Sequence, residues 1–213
     1  MTVQVKICGL SSAETIDAAV DAGADMVGFN FFARSPRYVA PDTVGDLARH
    51  VPAAVVKVGL FVEPDDDMLE AVLAVAPLDM LQLHGHETPE RAIEIRDRFG
   101  LPIMKVIGIG EVADLATADG FSGAADRLLL DTKPPKDADR PGGNAIAFDW
   151  AILQDWTPPL PWMLAGGLTP GNVADAIRVS GAAAVDVASG VESTPGNKDI
   201  DAIHAFIAAA KGA

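Results

Sequence analysis

The chain has 213 residues, and 16 Lys and Arg against 30 Asp and Glu leave a formal net charge of −14. With 49% hydrophobic and 22% charged residues it is expected to fold along most of its length as one large or two small domains, which excludes extended disorder. So large an acidic excess repels phosphate backbones and anionic lipid heads, excluding nucleic acid and membrane surfaces as partners, and no apolar run approaches the ~18 residues of a membrane span.

Short β-branched and apolar runs alternate with Ala-rich segments of helical periodicity along the whole sequence. The predicted strands are Val3 to Cys8, Met26 to Phe31, Val55 to Phe61, Met80 to His84, Ile103 to Ile107, Arg127 to Asp131, Trp162 to Ala165 and Ala184 to Ala188. Each is followed by a helix start. Ser11 with Glu14 reads as a capping box, and Thr88-Pro89 and Thr169-Pro170 each set a cap residue before proline at the first helical position. Near-continuous apolar strands such as Leu128-Leu129-Leu130 suit a parallel sheet covered by helices. Eight βα units predict a single (β/α)8 TIM barrel spanning residues 1–213, whereas an open doubly wound sheet needs only about five or six strands. Cys8-Gly9-Leu10-Ser11-Ser12 also lacks the glycines of a dinucleotide site. The long stretch Thr132 to Asn144, rich in Pro, Gly, Lys and Asp, is expected to be a functional or disordered loop. The N-terminus lacks the basic and then apolar run of a secretory signal, and the one cysteine forms no internal disulfide, so the expected compartment is the cytoplasm.

A barrel of this kind carries its active site at the carboxyl ends of its strands, so polar residues there are informative. Lys6 and Cys8 share one face of the first strand, and the ammonium favours a thiolate that acts as a base. A lone cysteine is equally a small buried hydrophobe, and Lys6 has a rival reading as a Schiff-base amine. Asp131 closes the sixth strand at the edge of an apolar interior, where a carboxyl suits a general acid or merely closes the loop. Asp186 interrupts an apolar strand and either meets a ligand or pairs with an internal cation.

Gly166, Gly167, Ser189 and Gly190 follow the seventh and eighth strands, between which barrels frequently hold phosphate on backbone N–H groups. Arg34 and Arg37 follow the second strand, and either offers a fork for a carboxylate, although at least one is expected to be a solvated surface group. His84 and His86, two residues apart with no third ligand in reach, form a weak metal signal, so no metal site is assigned. Trp150, Trp156 and Trp162 read as packing.

Assembled in order, these residues resemble the phosphoribosylanthranilate isomerase family from end to end. The matching segments are Lys6-Ile7-Cys8-Gly9-Leu10, Ser35-Pro36-Arg37-Tyr38-Val39, Gln82-Leu83-His84-Gly85 and Leu129-Leu130-Asp131-Thr132. They continue with Gly142-Gly143, Phe148-Asp149-Trp150, Leu164 to Leu168, Val185 to Glu192 and Pro195-Gly196-Asn197-Lys198-Asp199. Asn144-Ala145 departs from the family, which often has Thr-Gly there.

The resemblance implies an Amadori rearrangement of N-(5-phosphoribosyl)anthranilate in tryptophan biosynthesis, without metal or organic cofactor. It makes Cys8 the general base and Asp131 the general acid, with Arg37 on the anthranilate carboxylate and Asp186 near the amine and ribose. Gly166, Gly167, Ser189 and Gly190 then face the phosphate, and Lys6 with Arg37 inverts the local field for an anionic substrate. Monomer and homodimer both remain open. The rival histidine-pathway isomerase uses aspartates as both acid and base, against which Cys8 argues. Only one activity is expected, because the second half of the fused forms with indoleglycerol-phosphate synthase is absent. A phosphate-binding barrel that has lost its chemistry is the remaining alternative, which Cys8 and Asp131 together disfavour.

Overall fold

Eight parallel strands close on themselves in sequence order in a computed structural model that describes residues 2–133 and 147–213. They are β1 (Gln4–Cys8), β2 (Met26–Asn30), β3 (Val56–Phe61), β4 (Met80–Leu83), β5 (Ile103–Ile109), β6 (Arg127–Thr132), β7 (Trp162–Leu164) and β8 (Ala184–Val187). All but the first two residues of the expected Thr132 to Asn144 loop, with Gly142-Gly143 and Asn144-Ala145, lie outside the described residues.

Alternation along each strand sorts side chains into two layers. Val5, Ile7, Leu128, Leu130 and Val185 point outward into the large core between strands and helices. Met26, Val58, Met104, Leu129, Met163 and Ala184 fill the inside of the barrel. Inner positions nearer the carboxyl ends carry Lys6, Cys8, Gln82, Asp131 and Asp186, so the apolar filling gives way to polar groups where the site belongs.

Helices α1 (Ala13–Asp21), α2 (Pro41–Leu47), α3 (Asp66–Leu73), α4 (Pro89–Phe99) and α5 (Val173–Ser180) supply five of the seven crossovers between strands, and α6 (Ile200–Lys211) follows β8. The other two differ from the expected helices. The fifth is a 3-10 segment, Val112–Phe121, and the described part of the sixth holds a 3-10 turn, Trp150–Leu153. Val112, Asp114, Thr117, Asp119 and Gly120 are all poor α-helix formers, which accounts for the fifth.

Two caps also fall elsewhere than expected. Ser12, not Ser11, begins α1, its hydroxyl accepting from Thr15 N at 3.3 Å, which leaves Glu14 one position short of a capping box. Thr169-Pro170 forms a turn before α5, held by Asn172, whose Oδ1 accepts from Thr169 N at 2.7 Å while its Nδ2 donates to Gly167 O at 3.0 Å. Thr88 caps α4 as expected, with Pro89 at the first position. Beyond β8 a small antiparallel hairpin, β9 (Glu192–Thr194) and β10 (Asn197–Lys198), departs from the simple βα alternation. Trp156 and Trp162 meet edge to face and pack with Trp150 against the outer core, as expected of packing residues.

Candidate active site

β1 and β8 are neighbours, and their register sets Lys6 directly beside Asp186. Lys6 Nζ donates to Asp186 Oδ1 at 2.7 Å with the lysine wholly buried. Burial pulls Lys6 down, but Asp186 and then Cys8 outweigh it and hold Lys6 above the usual lysine range. An ammonium held by Asp186 offers no lone pair for a Schiff base, which disfavours the rival reading of Lys6.

Cys8 lies two residues on, on the same wall and beside Gly28. Burial pushes its thiol up, and the attraction of Lys6 and Lys198 only partly offsets this, while Asp186 adds to the rise. The ammonium of Lys6 does draw Cys8 toward the thiolate, as expected, but desolvation is the larger effect and holds the thiol above the usual cysteine range.

Arg34 and Arg37 part company, the first exposed and the second buried. The loop that carries them is organised by Asn30, whose Oδ1 accepts from Phe32 N at 2.8 Å and whose Nδ2 donates to Ser35 Oγ at 3.2 Å. Ser35 Oγ in turn accepts from Arg37 N at 3.1 Å. The Arg37 guanidinium donates through Nε and Nη2 to the two oxygens of Glu192 at 2.7 and 2.8 Å. Lys198 Nζ donates to the same Glu192 at 2.8 Å and to Ala188 O at 2.7 Å. Burial would raise Glu192, yet hydrogen bonds and charge from Arg37 and Lys198 hold its carboxyl below the usual glutamate range. Burial lowers Lys198 despite Glu192.

Asp131 stands on the interior wall of β6, three strands from Cys8 around the barrel by way of β7 and β8. Its Oδ1 accepts from Thr132 N at 2.8 Å, and its Oδ2 lies 3.5 Å from His84 Nε2. His84 follows β4 and is nearly buried, with its Nδ1 3.5 Å from Gln82 Nε2. The exposed His86 instead sits beside Glu63, 3.4 Å away, so the two histidines diverge rather than converge on a metal.

Close backbone approach shapes the last two loops. A Cβ on Gly166, at φ +85°, would stand 2.3 Å from Thr132 Oγ1 and 3.1 Å from Asp131 Oδ1. One on Gly190 would lie 1.8 Å from Leu168 O, so the loops after β7 and β8 touch backbone to backbone. Gly166, Gly167, Ser189 and Gly190 are all half-buried around that contact, at the place where a barrel presents N–H groups to phosphate.

Individual residue reading missed Glu192, Lys198 and Asn30. Pro195-Gly196 between Glu192 and Lys198 is a turn signal that would have folded the two charges toward each other.

A closed eightfold barrel with its polar interior gathered at the carboxyl ends of the strands defines the architecture of a TIM-barrel enzyme. The family described as N-(5'-phosphoribosyl)anthranilate (PRA) isomerase matches residues 5–209. The chain is 58% identical over 212 residues to the N-(5'-phosphoribosyl)anthranilate isomerase of Paramagnetospirillum magneticum, covering 100% of this chain and 99% of that protein. A solved structure of monomers made from the dimeric phosphoribosylanthranilate isomerase of Thermotoga maritima superposes with a TM-score of 0.85 at 36% identity, over 99% of this chain and 100% of that one. A phosphoribosyl anthranilate isomerase in complex with reduced 1-(o-carboxyphenylamino)-1-deoxyribulose 5-phosphate superposes at 0.83 with 35% identity, again over 99% and 100%. The chain belongs to the N-(5'-phosphoribosyl)anthranilate isomerase family.

Proposed function

We propose that the protein catalyses the Amadori rearrangement of N-(5-phosphoribosyl)anthranilate to 1-(2-carboxyphenylamino)-1-deoxyribulose 5-phosphate, a step of tryptophan biosynthesis. The whole chain acts as one catalytic barrel in the cytoplasm, as a monomer or homodimer, on a small phosphorylated substrate. The observation that carries the assignment of roles is that Cys8 and Asp131 both face the interior of one closed barrel at the carboxyl ends of β1 and β6, three strands apart around its rim.

Asp131 donates its proton to the furanose ring oxygen. The C1–O bond breaks, the nitrogen lone pair forms a C1=N bond, and the ring opens to a protonated Schiff base. That cation acidifies the proton on C2, which the Cys8 thiolate removes, and the C–H pair becomes the C1=C2 bond while the C1=N pair returns to nitrogen, giving an enolamine. Transfer of the hydroxyl proton away from O2 and of a proton onto C1 gives the aminoketone, so no atom is gained or lost overall. The sulfur takes this proton as its thiolate, after the thiol has released its own proton to solvent; Lys6, Lys198 and the positive charge of the iminium favour that ionised form against the burial that opposes it.

Arg37 holds the anthranilate carboxylate, and Asp186, fixed by Lys6, meets the amine and ribose hydroxyls. Gly166, Gly167, Ser189 and Gly190 hold the phosphate through backbone N–H groups. Lys6, wholly buried beside Asp186, contributes to substrate binding through the positive field that it makes with Arg37.

Purified protein added to freshly made phosphoribosylanthranilate is expected to abolish the fluorescence of the anthranilate conjugate. Cys8→Ala and Asp131→Asn should each lower kcat by about two orders of magnitude or more with the far-UV spectrum unchanged. Unaltered turnover in either variant would remove that residue from the mechanism.

A further inference from the structure

Glu192 occupies one side of the Arg37 guanidinium, taking Nε–H and one N–H of Nη2. The group has five N–H donors in a planar fork, so the opposite edge, formed by Nη1 and the second N–H of Nη2, is left for a second carboxylate. Glu192 is itself fixed from the other side. Its Oε1 accepts from Lys198, its Oε2 accepts from Gly196 N at 3.2 Å, and Lys198 is tied to Ala188 O. The hairpin that carries Glu192 and Lys198 is pressed against the arginine loop, where a Cβ on Gly196 would stand 2.4 Å from Pro36 O. Side chains of Arg37, Glu192 and Lys198 are 6%, 3% and 1% exposed, so the guanidinium has little freedom to turn. In this cluster Lys6, Arg37 and Lys198 face only Asp186 and Glu192 among the described carboxylates, leaving one positive charge for an anion.

We propose that Glu192 is a positioning residue for substrate recognition: it aims the free edge of Arg37 at the anthranilate carboxylate and so sets the preference for carboxylated over uncarboxylated N-aryl substrates. This rests on the reading that Arg37 receives that carboxylate. Replacing Glu192 with its amide keeps the volume but sets an N–H against the guanidinium donors, which frees Arg37 to rotate and weakens its grip on Lys198.

The test is titration calorimetry with two stable ligands, reduced 1-(o-carboxyphenylamino)-1-deoxyribulose 5-phosphate and its phenylamino counterpart lacking the carboxyl. The unaltered protein should prefer the first by about thirtyfold or more, in line with an arginine–carboxylate pair in a largely dry site. Glu192→Gln should cut that preference by about tenfold while changing the affinity for the uncarboxylated ligand by less than about threefold. Glu192→Asp, which keeps the charge but shortens its reach, should fall between, and serves alone if the amide variant does not fold. Equal weakening of both ligands would make Glu192 a support of the mouth and overturn the proposal, as would an unchanged preference. Arg37→Met separates the two levels of inference. If it keeps the carboxylate preference, the reading of Arg37 itself fails; if it loses the preference while Glu192→Gln keeps it, only the role of Glu192 fails.

Discussion

In the proposed reaction Cys8 rests as a thiol because burial dominates, yet it must ionise to take a carbon-bound proton, so the cost of forming the thiolate sets how much active base is present. Burial raises it, Lys6 and Lys198 draw it back, and Asp186 opposes them, so the balance rests on charges supplied by three different strands. Of the two cations Lys198 is the more separable, because its partner Glu192 keeps a second cation in Arg37, whereas Asp186 forms its ion pair with Lys6. Lys198→Met removes one of the attractions that favour the thiolate, so the thiol should rise further. The rising limb of kcat/KM against pH should then move to more alkaline values and activity at pH 7 should fall, whereas Lys198→Arg, which keeps the charge, should stay close to the original profile. An unmoved limb in the methionine variant would show that Lys198 does not act on the sulfur.

Strand positions and facing were legible because period-two alternation and parallel pairing are local consequences of residue type, and all eight runs appear in the sheet within a residue or two. Cys8 and Asp131 were legible for the same reason: each ends or nearly ends a run. What stayed hidden depends on contacts distant in sequence. Lys105 reads as one polar residue in an apolar strand, yet it points outward, donating to Glu87 at 2.5 Å and to Gly85 O at 2.7 Å. Glu87 also accepts from Glu63 N at 2.7 Å and Gly85 N at 3.0 Å, so one carboxylate joins the loops after β3 and β4 to β5, just behind His84. The two losses should be unequal. Lys105→Met leaves Glu87 with its backbone donors, but Glu87→Ala leaves a buried ammonium, already lowered by desolvation, with a single carbonyl and strands both loops. Urea unfolding is expected to find Glu87→Ala destabilised by about 3 kcal/mol and Lys105→Met by clearly less. The reverse order would mean that the lysine, not the carboxylate, holds the loops.

Over the whole molecule the acidic surplus of −14 contrasts with a site that gathers Lys6, Arg37 and Lys198, an arrangement that resists an anion at a distance and accepts it at one mouth. The same cluster gives the fold a particular response to acid. Because Glu192 is held below its usual value in the folded state, it binds a proton more readily once unfolded, and its contribution to stability is complete above the ordinary glutamate value of 4.5. That contribution is lost as pH falls through the depressed folded value. Lys105 and Lys198, lowered by burial, are protonated in folded and unfolded chains alike at such acidity, so they add no slope there. Surface carboxylates such as Asp66 and Asp114 are also drawn down by their cationic partners, but they do so equally in any variant of the buried cluster. Comparing the unaltered protein with Glu192→Gln therefore isolates one group. The unaltered protein should be the more stable at pH 7, and its advantage in urea midpoint should hold down to about pH 4.5 and shrink steadily below it. A difference that stayed constant from pH 7 to pH 3 would mean that the carboxylate charge is not what fastens the hairpin to the arginine loop.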